Sequence, residues 1–97
     1  MNYIIYPNKK KVTLPKRGYF KKGDKGEDIM IISSFLAVNF LAYEYKTKIK
    51  VDDMLGNIFE KNLEGWIRLF QKNNDLEVDG CIGKITLNKL REYGLDN

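Results

Sequence analysis

Apolar residues recur at helical spacing in three separate stretches of the chain, and polar or glycine-rich segments divide them. Ile29, Ile32, Leu36, Phe40 and Tyr43 step by three and four, with Ile31, Phe35, Val38 and Leu41 on neighbouring faces. That spacing predicts a largely buried helix from about residue 27 through Tyr43. The preceding "KKGDKGED" reads as a turn in which Asp24 or Asp28 caps the helix, and Glu27 and Asp28 suit its positive end. "EYKTKIK" is a polar connection into "VDDMLGN". A second helix is expected from about Ile58 to Asn73, with Phe59, Leu63, Trp66, Ile67 and Phe70 on one broad face. Asn57 as N-cap with Glu60 three residues later makes a variant of the capping box. Asn74 and Asp75 suit the left-handed turn that ends many helices. A third, shorter helix is expected from about Thr86 to Tyr93, with Leu87, Leu90 and Tyr93 inward and Gly94 as its stop. These elements predict an all-α fold built on three helices.

Charge divides the chain differently. Residues 1–22 hold seven Lys or Arg and no acid, whereas residues 23–97 carry ten bases against thirteen acids. The expected organisation is a basic arm, residues 1–19, on a mildly acidic body, residues 20–97. Tyr3, Ile4, Ile5 and Tyr6 suggest a short strand in the arm, and Pro7 and Pro15 bracket its lysine run. Such an arm suits a polyanion or a solvated linker. The N-terminus has its apolar patch before its charge, the reverse of an export signal. The longest uncharged run, Ile29 to Tyr43, is fifteen residues, short of the roughly 20 that span a bilayer.

Little catalytic chemistry is available. There is no histidine and one cysteine, Cys81, which excludes histidine triads, most zinc sites and an internal disulfide. Cys81 reads as a small loop residue without an activating partner. "VDDMLGNIFEKNL" (51–63) and "VDGCIGKITLNKL" (78–90) align at an offset of 27, pairing Asp52 with Asp79, Gly56 with Gly83 and Leu63 with Leu90. Each copy is a turn leading into a helix, so Asp79, Gly80 and Gly83 are read as turn makers. Asp75, Glu77, Asp79 and Gly80 imitate the first half of a calcium loop, but Thr86 stands where the bidentate Glu is needed. Asp52 and Asp79 occupy turn positions and are not read as a glycosidase pair. No metal and no cofactor is expected.

"FKKGDKGEDI", "VDDMLG", "LFQ" and "LEVDGCIGKIT" together resemble the small three-helix peptidoglycan-binding domain attached to bacterial cell-wall amidases, carboxypeptidases and phage endolysins. The match runs over about residues 20–93. Phe70, Leu76, Asp79, Gly80, Gly83 and Thr86 fall on the family's structural motif. Ser33, Asp53, Phe59 and Asp75 depart from its pattern. About four additional residues lie in each half, close to one helical turn, so the first two helices are expected to be antiparallel neighbours, each a turn longer than in the family.

The resemblance implies a non-catalytic module that holds an attached or partner hydrolase on bacterial peptidoglycan, acting at the cell wall or outside the cell. The missing export signal fits a phage protein released from the cytoplasm or a fragment of a longer hydrolase. Sugars and peptides are held by aromatic faces and amides along a shallow surface. The candidate contacts are Tyr43 and Tyr45, then Trp66, Arg68 and Gln71 on the second helix, and Asn73 and Asn74 at its end. The alternatives are a protein-interaction domain and polyanion or nucleic-acid binding through the arm. The short third helix, with few bases, and the acidic body weigh against nucleic acid.

Overall fold

A computed structural model describes residues 10–96. The strand expected at Tyr3–Tyr6, and Pro7, lie outside the described residues. The described chain is mostly helical, with five helices and one small antiparallel sheet: β1 (Tyr19–Phe20), α1 (Glu27–Asn39), α2 (Tyr43–Thr47), α3 (Val51–Met54), α4 (Lys61–Asn73), β2 (Ile82–Gly83) and α5 (Lys84–Glu92). The three expected helices correspond to α1, α4 and α5. The three-helix description is incomplete, because α2, α3 and the sheet were not foreseen.

The first helix stops earlier than expected. Its Asn39 side chain bonds the Phe35 carbonyl at 2.9 Å, and Phe40, at φ −132°, turns the chain out of the helix. The Tyr43 N–H then bonds the Phe40 carbonyl at 2.9 Å, which starts α2. This bend sends both rings inward, with Phe40 5.2 Å from Tyr43 and 5.5 Å from Phe70. A continuous helix keeps the two residues on one face but does not wrap them around the end of α4. Helices α1 and α4 have 13 residues each; α2 and α3 come between them in the chain and pack on α4.

The second helix begins later than expected, for a hydrogen-bonding reason. Residues 57–59 spend their backbone groups on the glycine-rich turn of residues 23–26. Gly26 N–H bonds Asn57 O, Phe59 N–H bonds Asp24 O and Gly23 N–H bonds Phe59 O, at 2.8, 2.8 and 2.7 Å, and Lys25 pairs with Ile58 as an isolated bridge. Asn57 is thus not the cap; Glu60 is, without a side-chain bond to the helix. Neither Asp24 nor Asp28 caps α1, whose N-cap is Gly26. Asp24 instead accepts from Lys21 N–H and pairs with Arg17. After α4, Asp75 takes the left-handed conformation and Asn74 does not.

β1 pairs with β2 in the register Tyr19 to Gly83 and Phe20 to Ile82. Residues 19–26 therefore pair with both echoed segments, with residues 82–83 through the sheet and with residues 57–59 through the turn. The core gathers Phe20 from this hub, Ile29, Ile32 and Leu36 from α1, Leu63, Trp66, Ile67 and Phe70 from α4, and Leu87 and Leu90 from α5. Val12 belongs to the same core and Leu14 packs against it.

Candidate functional site

Three helices end at one place. Phe40, Asn74 and Tyr93 are the C-caps of α1, α4 and α5. The Phe40 ring lies 5.2 Å from Tyr93, and the Tyr93 ring lies 5.7 Å from Phe70. Asn74 ties its own helix end to this cluster. Its Nδ2 donates to the Phe70 carbonyl at 2.8 Å, and its Oδ1 accepts from the Tyr93 hydroxyl at 2.8 Å. Tyr43 adds a ring against Phe40 and Trp66. Burial pushes the Tyr43 hydroxyl pKa up, while the Asn73 side chain beside it pulls the other way.

The result is a surface of aromatic rings and carboxamides at the ends of three helices. Tyr93 is half exposed, Asn73 is exposed and Asn74 is half-buried. Helix C-termini carry partial negative charge and unsatisfied carbonyls. Such a surface favours ligands that donate hydrogen bonds and offer a C–H face, as a sugar or peptide does, over anions.

The sequence candidates divide among four places. Tyr43, Asn73 and Asn74 come together here. Trp66 does not join them: it is fully buried, with Nε1 donating to the Ile49 carbonyl at 3.1 Å, so no face is left for a ligand. Tyr45 is 76% exposed on the outer side of α2. Arg68 and Gln71 lie on α4 and hold the loop before β2. Gln71 is 1% exposed; its Nε2 donates to Asp79 Oδ1, Cys81 O and Thr86 Oγ1, and its Oε1 accepts from the Asp79 and Gly80 N–H groups. It is a bracket for the loop and is withdrawn from the contact set, as is Trp66. Arg68 donates to the Val78 and Asp79 carbonyls at 3.3 Å and pairs with Glu64. The motif residues Phe70, Gly80 and Thr86 are buried with this bracket, Leu76 packs against the core, and Gly83 lies in β2.

By apolar spacing alone Phe40 and Tyr93 are ordinary inward positions. The signal for Tyr93 was its place directly before Gly94, where a side chain leaves the helix and turns outward. For Phe40 no comparable breaker follows.

Elsewhere, Cys81 is half-buried, and burial, then the nearby Asp79 and Glu64 carboxylates, push its thiol pKa up. That is the wrong direction for a nucleophile. Lys22, Gly23, Ile58, Phe59, Glu60 and Lys61 line an open groove of ≈ 360 Å³. Among the described residues no group of three or more Cys, Asp or Glu is placed to hold a metal ion, and no helix is long and apolar enough to cross a membrane.

No protein-family model matches the sequence, and no curated protein does. Among solved structures, the chain is similar to the N-terminal domain of SleB, with 26% identity and a TM-score of 0.58. The similarity covers 84% of this chain and 97% of that domain.

Proposed function

We propose that this protein is a non-catalytic module that binds bacterial peptidoglycan and holds an attached or partner hydrolase on the cell wall. The observation that carries the reading is the convergence of Phe40, Asn74 and Tyr93 at three helix ends, with Tyr43 and Asn73 beside them. An exposed ring next to fixed amides and helix carbonyls meets the needs of a glycan: stacking for the sugar face and acceptors for its hydroxyl and acetamido N–H groups. The motifs shared with peptidoglycan-binding domains and the likeness to the N-terminal domain of SleB support the same reading. The contacts assigned are Tyr93, Asn73 and Asn74; Tyr43, at 7% exposure, backs them from within the core, and Tyr45 and Arg68 are outlying members that a long polymer can reach.

The test is a two-dimensional amide NMR titration with soluble muropeptides from digested peptidoglycan. Shifts centred on residues 40–43, 73–75 and 93–94 support the reading. Shifts confined to the Asp79 loop or the Lys22 groove, or none at millimolar ligand, contradict it.

A further inference from the structure

The cations of the described part of the basic arm are exposed, but its backbone is anchored on the body at Val12. Val12 is buried in the core, and two side chains from the far end of the chain hold its peptide groups. Val12 N–H donates to Asp96 Oδ2 at 3.0 Å, and Arg91 Nη2 donates to the Val12 carbonyl at 2.7 Å. Arg91 and Asp96 also bond each other, with Nη2 to Oδ2 at 3.1 Å. The Asp96 side chain is 1% exposed, and these partners occupy its oxygens. Charges on either side of Val12 are matched as well. Lys10 reaches Asp28 at 3.0 Å, Lys11 reaches Asp96 at 3.8 Å and Arg17 pairs with Asp24.

We infer that residues 10–17 form an autoinhibitory strap, closed by the Arg91–Asp96 clasp on Val12, that holds the arm's cations beside acids of the body, where those carboxylates compete with external polyanions. A buried carboxylate with three kinds of donor is a single point at which the strap opens: without it Val12 N–H and Arg91 lose their acceptor together. The pairs at Lys10 and Arg17 are largely exposed, so alone they hold little. Opening the clasp frees Lys10 and Lys11 to join Lys16 as one extended cationic segment, while Arg17 stays with Asp24. A phosphate polymer competes with the body's carboxylates for that segment, and its affinity rises when the clasp is broken. The inference does not rest on the glycan reading, although Arg91 and Asp96 flank Tyr93 at the end of α5; it concerns the arm's cations and not the Tyr93 ring.

The experiment uses the full chain and inorganic polyphosphate at low salt, with hydrogen exchange at the Val12 amide read in parallel. Asp96→Ala removes the clasp; Glu77→Gln removes one carboxylate from an exposed position outside the strap. The expected result is Val12 exchange faster by about tenfold or more in Asp96→Ala, and polyphosphate affinity raised roughly threefold or more over that of Glu77→Gln. Should Asp96→Ala fail to fold by circular dichroism, Arg91→Met gives both readouts, and here affinity must rise although a cation is lost. Unchanged Val12 exchange, or equal affinities in the clasp variant and the control, overturns the inference.

Discussion

Gln71 and Asp79 hold each other reciprocally across the second echoed loop. Gln71 Nε2 donates to Asp79 Oδ1 at 3.0 Å, and Asp79 N–H donates to Gln71 Oε1 at 3.2 Å. Two amide hydrogens serve three acceptors, of which Cys81 O is nearest at 2.8 Å. Removing this amide strands the buried Gly80 N–H and the Thr86 hydroxyl. Gln71→Ala is therefore expected to lower stability by about 3 kcal/mol, measured by urea unfolding. Gln71→Glu should cost at least as much, since a carboxylate cannot donate to Asp79. A loss in Gln71→Ala below about 1 kcal/mol contradicts the bracket.

Adjacent serines on α1 should respond with opposite signs. The Ser33 hydroxyl donates to the Gly56 carbonyl at 2.9 Å and accepts from the Gly56 N–H at 3.1 Å. It does for the first echoed loop part of what Gln71 does for the second. The Ser34 hydroxyl is buried without a partner among the described residues. Ser33→Ala should destabilise by about 1–2 kcal/mol, whereas Ser34→Ala should stabilise by roughly 1 kcal/mol through relief of an unpaired hydroxyl and better helix propensity. Thermal unfolding of the two variants side by side decides it.

Trp66 reports on the core and not on the ligand. Its indole is fully buried and bonded to Ile49. Tryptophan emission should be blue-shifted, resist quenching by iodide, and stay unchanged on adding muropeptides. A ligand-dependent shift in emission returns Trp66 to the contact set.

The Asp24 carboxyl sets one pH dependence. Its partial burial raises its pKa, but the Arg17 pair and the Lys21 N–H outweigh this and hold it below the usual carboxylate value. A folded pKa below the unfolded one gives stability that is present above about pH 4 and lost as pH falls through the folded value. Asp24→Asn should thus unfold at lower urea concentration than the wild type at pH 7, and the gap should close below about pH 3. A gap that persists at that pH assigns the effect to the Lys21 turn bond and not to charge.

Much of the fold was legible because its signals are local. The apolar spacing in α1, α4 and α5 and the Asp-Gly turn at residues 79–80 depend on neighbours in sequence. What was missed depends on partners far along the chain. The start of α4 at Lys61 is set by Asp24 and Gly26, which take the backbone bonds of residues 57–59. The end of α1 is set by Phe70 and Tyr93 receiving the Phe40 ring. In the candidate site, Asn73 and Asn74 followed from their place at a helix end. Trp66 and Gln71 carry the residue types of a binding site but lie in the protein's interior, and periodicity alone does not separate a ring facing a ligand from one facing the core.

Co-sedimentation with insoluble peptidoglycan stripped of teichoic acid, at low and high salt, tests the central claim most directly. The wild-type chain should sediment with little dependence on salt. Tyr93→Ala should weaken binding about fivefold, equivalent to roughly 1 kcal/mol, with its fold checked by circular dichroism, while Tyr93→Phe retains most of the binding. If the wild type stays in the supernatant, or sediments only at low salt and equally well without the Tyr93 ring, the three helix ends are not a wall-binding surface and the account is wrong.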